Sequence, residues 1–209
     1  MNITRRNLLL STSALALALG MKASPAMALI VSTEEAMKEV IEGDPNAKVE
    51  VIEYASLACP ACKFFHEEIY PELKAKFIET GKIRFIYRDF PTNSAALAAA
   101  MIARCAGPQR HAGMVDMFFT TQQQWGRSQQ PLQALSQVAR MGGIGPSEVD
   151  QCIRNSELMQ SIQAGAKHAN QEMGVTGTPT LFVAGKMSEN GLKKEELFAK
   201  IEEAIADAS

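Results

Sequence analysis

The chain has 209 residues, 46% of them hydrophobic, and its 21 lysines and arginines against 23 aspartates and glutamates leave a formal net charge of -2. This size and apolar content allow one or two globular domains with a real core and exclude a disordered chain. The charge balance gives no basic footprint for nucleic acid and no polybasic membrane anchor.

Residues 1–28 read as an export signal and are set aside from the fold. Arg5 and Arg6 form a positive head, Leu8 to Leu19 give an apolar stretch broken by Ser11, Thr12 and Ser13, and Ala26-Met27-Ala28 offers small residues for cleavage after Ala28. The stretch falls short of the about 20 predominantly apolar residues that a membrane span needs. Thr4-Arg5-Arg6-Asn7-Leu8-Leu9 resembles a twin-arginine signal, and Lys22 fits that route. A general secretory signal is the alternative, and either exports the protein. Removal leaves 18 basic residues against 23 acidic ones in residues 29–209, a net charge of -5. All four cysteines lie in that mature part, where an oxidising compartment lets disulfides persist and an even count permits two bridges.

In the mature chain, residues 33–42 predict a short helix, started by Ser32 or Thr33 and stopped by Gly43-Asp44-Pro45. Residues 48–55, with Val49, Val51, Ile52 and Tyr54, predict a buried strand. Cys59-Pro60-Ala61-Cys62 follows and opens a helical run over 63–78, where Phe65, Ile69, Leu73 and Phe77 share one face and Pro71 predicts a kink. Residues 82–90 alternate Ile83, Phe85 and Tyr87 with Arg84 and Arg88, a second strand closed by Pro91. Strand, helix, strand implies a right-handed parallel crossover.

The pattern is then helical. Asn93 or Ser94 caps an alanine-rich helix reaching Cys105 and stopped by Gly107-Pro108; a second covers 109–124; residues 125–130 read as a polar loop around Trp125; a third covers 131–141. Ser147 with Asp150 looks like a capping box opening a short helix through Cys152, and 157–173 form a longer helix stopped by Gly174. No Ser/Gly-rich or charge-run segment separates these five helices, so about 93–173 form a compact insert. Residues 180–183 predict a strand, 184–186 a turn, and 193–206 a terminal helix with Leu197, Ile201 and Ile205 on one face.

The chemistry concentrates in the cysteine pair. Cys59 falls in the first turn of its helix, where unpaired N–H groups and the positive end of the dipole favour a thiolate and lower its pKa. Cys62 lies three residues on, one turn deeper, close enough to close a small ring but shielded. This supplies an attacking and a resolving sulfur, and Pro60 suits a helix start because its missing N–H has no partner there anyway. A zinc site would want two further ligands at short spacing, but Cys105 and Cys152 are distant and neither belongs to a second C-x-x-C. A c-type haem would need histidine where Lys63 stands. The reading that remains is a redox-active dithiol, with neither metal nor added cofactor expected.

The order of elements, with Cys59-Pro60-Ala61-Cys62 after a strand, a long helical insert, and Gly177-Thr178-Pro179-Thr180 before a strand, resembles the DsbA family of thiol-disulfide oxidoreductases. The fold implied is α/β, a thioredoxin fold with a helical insertion, over essentially the whole mature chain. The run Phe85 to Pro91 and Arg104-Cys105-Ala106-Gly107 are similar to exported DsbA-like proteins of alphaproteobacteria.

The resemblance implies a cis Thr178-Pro179 bond that sets a substrate-pairing loop against the dithiol. It also implies that Glu53 is a buried acid relaying a proton near Cys62, its pKa raised by desolvation, with Lys82 or Arg84 as cationic neighbour. Cys105 and Cys152 are expected to form a structural disulfide, the alternative being two buried free thiols. One departure is Ala61, since the strongest oxidants of the family carry histidine beside the second cysteine; its absence predicts a weaker oxidant. His66, two turns from Cys59, is no substitute and is expected at the surface or partly packed, while His111 and His168 read as structural. Met114, Met117 or Phe118 are candidates for an apolar substrate groove near Pro179.

The activity implied is a periplasmic dithiol oxidase, monomeric, that acts on reduced or unfolded exported proteins and is reoxidised by a membrane or soluble redox partner. A reductase or isomerase on the same fold, or a non-catalytic surface protein, is the alternative.

Overall fold

The computed structural model describes residues 30–188 and 193–208. The export signal expected over residues 1–28, with its cleavage site at Ala28, lies outside the described residues.

Strand formers decide the centre of the molecule. Strands β1 (Ile41–Gly43), β2 (Val49–Ala55), β3 (Ile83–Asp89), β4 (Thr180–Val183) and β5 (Lys186–Ser188) make one mixed sheet in the order β1-β3-β2-β4-β5. β2 and β3 run parallel, from Val49 beside Ile83 to Ala55 beside Asp89, and the other pairs are antiparallel. Alternate residues of β2 enter two different cores: Val49, Val51 and Ala55 the larger one, Ile52 and Tyr54 a smaller one with Ile86, Val175 and Phe182. A strand covered on both faces excludes water from most of its side chains: in β2 Glu50 keeps partial exposure, whereas the charged Glu53 keeps none.

The helices are α1 (Thr33–Ala36), α2 (residues 60–78), α3 (Ser94–Cys105), α4 (Pro108–Thr120), α5 (Gln122–Gly126), α6 (Pro131–Met141), α7 (Pro146–Arg154), α8 (Ser156–Met173) and α9 (Lys194–Ala208). Together they give the expected α/β thioredoxin fold, with α3 to α8 as the helical insertion.

Several elements differ from the sequence reading. The first helix stops at Ala36, and Ile41–Gly43 instead joins β3 as an edge strand. Gly43 permits this: its φ is 95°, and a Cβ there would lie 2.6 Å from the Ile83 carbonyl oxygen. The insert has six helices among the described residues rather than five, because Trp125 sits in α5 and not in a polar loop. Its ring is fully buried edge-on to Phe118, and its Nε1–H donates to the Phe118 carbonyl at 2.9 Å. The capping box at Ser147 does not form: α7 starts at Pro146, Ser147 bonds Glu148, and Asp150 pairs with Arg154. After β4 the chain turns at Ala184 and Gly185, both with positive φ, and the twist of that turn returns it as β5.

Within α2, Pro71 is met by a change of register. The segments Phe65–Ile69 and Lys74–Ile78 are π-helical, with Tyr70 N–H bonded to Phe65 O and Glu79 N–H to Lys74 O. A π turn immediately before the proline accommodates a residue with no N–H to give. The helix lies between the sheet and α4, so two adjacent strips of its surface are buried, including Phe65, His66, Ile69 and Tyr70.

The insert is fastened to itself and to the sheet. α3 is rich in alanine and mostly buried, capped by Asn93, whose Oδ1 accepts from Ala96 N–H at 2.8 Å. Arg104 near its end donates to Asp89 of β3 at 2.6 Å, a buried ion pair. Cys105, at the end of α3, is bonded to Cys152 of α7, with a Cα–Cα distance of 6.0 Å and a sequence separation of 47. A crosslink closing a loop of that length is worth roughly 4 kcal/mol in the chain-entropy picture. Replacing both residues (Cys105→Ala with Cys152→Ala) is therefore expected to lower the unfolding free energy by about 2–4 kcal/mol. Denaturant unfolding measures this, and an unchanged midpoint would contradict it.

Candidate active site

β2 delivers the chain to the site. Its last residue, Ala55, leads into a tight turn in which Cys59 N–H donates to Ser56 O at 2.9 Å, and α2 starts at once. From the insert, the Gln122 side chain donates to Leu57 O at 2.7 Å and to Cys59 O at 3.0 Å, so α5 holds the turn that presents the first cysteine. Gln122 carried no signal in the sequence, where it is one of three consecutive glutamines.

Cys59 is the N-cap of α2 and Cys62 lies within its first turn. Neither is bonded to another cysteine; Cys59 is half-buried and Cys62 is 0% exposed. The Thr178-Pro179 bond is cis, and this loop sits directly against the motif: the protonated Cys59 thiol donates to the Thr178 carbonyl oxygen at 3.2 Å, across 119 residues of sequence.

The two sulfurs have opposite acidities. A hydrogen bond from the Cys62 thiol is the largest cause that draws Cys59 down to about 5; the Thr178 side chain and the N–H groups of Cys62 and Ala61 add to it against the effect of burial. Cys62 is pushed far above the ordinary thiol range, first by burial, then by its bond to Cys59 and by the charges of Glu53 and Cys59. At neutral pH the reduced pair is thus a Cys59 thiolate beside a Cys62 thiol. Ala61 supplies a backbone N–H to this arrangement and no imidazole.

Glu53, in the middle of β2, is 0% exposed. Its neighbour is neither of the expected cations: Arg84 pairs with Glu50 at 3.0 Å, and the charge of Lys82 acts on Glu202. Instead, His66 Nε2 lies 2.9 Å from Glu53 Oε2. His66 was expected outside or partly packed; it is buried, its ring stacked on Tyr70 at 4.9 Å and on Phe119 at 4.2 Å. The sequence pattern failed here because it assigned α2 one buried strip, whereas the sheet and α4 bury two.

Other candidates separate from the site. Met114 and Phe118 are core residues and Met117 is half-buried, so none of the three forms an open groove. The surface beside the motif is a cleft of about 430 Å³ lined by Ala58, Pro60, Lys63, Phe64 and Gln122, with Phe64 49% exposed. His168 is exposed on α8. His111 is buried, and burial together with the Arg104 charge lowers its pKa to about 4. Among the described residues, no group of three or more His, Cys, Asp or Glu side chains could hold a metal ion.

Comparison with known proteins gives consistent likenesses. A thioredoxin family model matches residues 35–203. A Rickettsia bellii protein named as a protein-disulfide oxidoreductase is 30% identical over 171 residues, covering 81% of this chain and 66% of that one. A Rickettsia conorii protein with the same name is 33% identical over 153 residues, covering 73% of this chain and 55% of its own. The chain therefore spans less than two thirds of the length of these curated relatives. The crystal structure of Wolbachia pipientis alpha-DsbA1 superposes with a TM-score of 0.73 at 27% identity, covering 82% of this chain and 93% of that one.

The acidity of Cys59 has a pH signature. Its folded value, about 5, lies below the value near 8.5 that a thiol has in the unfolded chain. The reduced protein therefore gains stability, relative to the oxidised one, as pH rises from about 5 to about 8.5, keeps all of it above that range, and loses it as pH falls through 5. Ultraviolet thiolate absorbance of the reduced protein should show a single step centred near pH 5 that Cys59→Ser removes. A step near pH 8.5 would contradict the assignment.

Proposed function

Since this chain belongs to the thioredoxin family and, within it, to the DsbA-like thiol-disulfide oxidoreductases, we propose that it is a dithiol oxidase that introduces disulfides into exported proteins. The observation that carries this reading is the inequality of the two sulfurs, an accessible thiolate at Cys59 and a buried thiol at Cys62. Lowering the pKa of Cys59 stabilises the reduced pair and makes Cys59 a good leaving group, and both effects make the Cys59-Cys62 disulfide an oxidant.

The reaction runs by exchange. A substrate thiolate attacks the Cys59 sulfur of the disulfide, the Cys59-Cys62 bond breaks, and Cys62 leaves as a thiolate that takes up a proton. A second thiolate of the substrate then attacks the substrate sulfur of the mixed disulfide, and Cys59 leaves as a stable thiolate. The substrate has lost two electrons and two protons; the protein dithiol holds the electrons until a membrane or soluble redox partner accepts them by the reverse exchange. The cis Thr178-Pro179 loop would pair with the backbone of an extended substrate segment, and the cleft beside Phe64 would receive its side chains.

Reduced or unfolded exported proteins are the substrates that fit, because the site is an open surface and not an enclosed pocket. Export to the periplasm is supported by the Arg5-Arg6 head and the small residues ending at Ala28, and by the Cys105-Cys152 bridge, which persists in an oxidising compartment. The protein acts as a monomer in this reading.

Equilibration of the Cys59-Cys62 pair with glutathione tests the direction of the reaction. The potential is expected at about -180 mV or less negative, and Ala61→His should move it further in the oxidising direction. A value near the roughly -270 mV of thioredoxin would overturn the oxidase reading in favour of a reductase.

A further inference from the structure

α5 starts with three glutamines in a row, yet only the first of them turns inward. Helical spacing explains the choice. Gln122 and Trp125 are three residues apart on one face, and the fully buried indole of Trp125 is pinned to the Phe118 carbonyl at 2.9 Å. That face therefore stays against the core, while Gln123 and Gln124 are exposed.

The buried Gln122 side chain reaches the backbone of the turn that carries the first cysteine. Residues 56–59 close this turn with the bond from Cys59 N–H to Ser56 O, which leaves the Leu57 carbonyl unused. Leu57 is 1% exposed, so its carbonyl needs a partner within the protein. Gln122 Nε2 supplies one at 2.7 Å and reaches Cys59 O at 3.0 Å. Two carbonyl oxygens select the amino end of the amide, whose two hydrogens match them in number. Cys59 O also accepts from Lys63 N–H at 3.1 Å, a bond of the first turn of α2. Its direction is thus held from the helix and from the insert. Ser56 restrains the start of the turn, its Oγ lying 2.9 Å from Thr92 Oγ1 and accepting from Thr92 N–H at 3.3 Å. Of the two side chains, Gln122 reaches the cysteine itself.

Fixing that carbonyl fixes the sulfur. Cys59 has an extended backbone, with ψ at 122°, and is followed by Pro60, which has no N–H to give. The first free N–H groups of α2 are those of Ala61 and Cys62, and both favour the Cys59 thiolate. Rotation about ψ of Cys59 turns its carbonyl and swings the sulfur relative to these N–H groups. A restraint on the carbonyl is therefore a restraint on that rotation.

We infer that Gln122 is a positioning residue of the dithiol: through the Leu57 and Cys59 carbonyls it holds the Cys59 sulfur against the N–H groups that open α2. The helical insert, by way of this one amide, then sets how strongly the reduced pair is stabilised. Gln122 makes and breaks no bond in the exchange. Its effect is on where the first sulfur rests between exchanges and so on the balance between dithiol and disulfide.

The inference rests on the exchange reaction proposed above, and its test is read as a difference between variant and wild type. Gln122→Met keeps the length of the side chain and removes both N–H groups, and Gln122→Ala serves if the methionine variant does not fold. Three quantities are measured for each: the pH of the Cys59 thiolate step, the equilibrium constant with glutathione, and the unfolding midpoints of the oxidised and reduced proteins. The step should rise from about pH 5 by about one unit. The equilibrium should move by about tenfold in favour of the protein disulfide, and the reduced protein should lose more stability than the oxidised one. An unchanged step and equilibrium in a folded variant would overturn the inference. So would an equal loss of stability in both redox states, the mark of a packing role. A wild-type pair that does not exchange with glutathione would instead overturn the proposed reaction, and the thiolate step would still decide the role of Gln122.

Discussion

The burial of one sulfur directly behind another is the constraint from which the rest follows. Cys59 is the N-cap of α2, so the first sulfur sits at the edge of the molecule among free N–H groups, and the second lies one turn inside. Burial destabilises a thiolate at Cys62 and so leaves it a thiol, which donates its hydrogen to Cys59. Each acidity thereby reinforces the other. Glu53 adds a buried negative charge behind Cys62, and it lies there because β2 is covered on both faces.

The helical insert takes part in this arrangement. Gln122 of α5 holds two carbonyls of the turn before the motif, and Phe119 at the end of α4 supplies one face of the stack that fixes His66. Lys63, next to Cys62, donates to Phe119 O at 3.2 Å and pairs with Glu67, which ties the first turn of α2 to α4. The Cys105-Cys152 bridge then keeps α3 and α7 together behind these contacts. The insertion therefore braces the back of the dithiol, while the cis Thr178-Pro179 loop closes its front.

Local chemistry was legible in the sequence wherever one residue settles it. Cys59 at a strand-to-helix junction, Asn93 as a cap, Gly174 as a helix stop and the period-two pattern of β3 all read correctly, because backbone geometry and periodicity act over a few residues. The errors came from tertiary cover. Ile41–Gly43 joined the sheet because β3 offered an open edge, and Trp125 was buried by α4 and not by its polar neighbours. The partner of Glu53 was sought among cations on the next strand, where alternation turns Arg84 toward Glu50. It lay on a helix 13 residues downstream, on a strip that the fourfold spacing of Phe65, Ile69, Leu73 and Phe77 had assigned to the outside.

The inequality of the two sulfurs is open to direct chemical measurement. Reduced protein treated briefly with iodoacetamide at pH 6, above the Cys59 value of about 5, should carry the label on Cys59 alone when its peptides are mapped by mass spectrometry. Denaturation before labelling should make Cys62 equally reactive. Comparable labelling of Cys59 and Cys62 in the folded protein, or no labelling of either at that pH, would contradict the account.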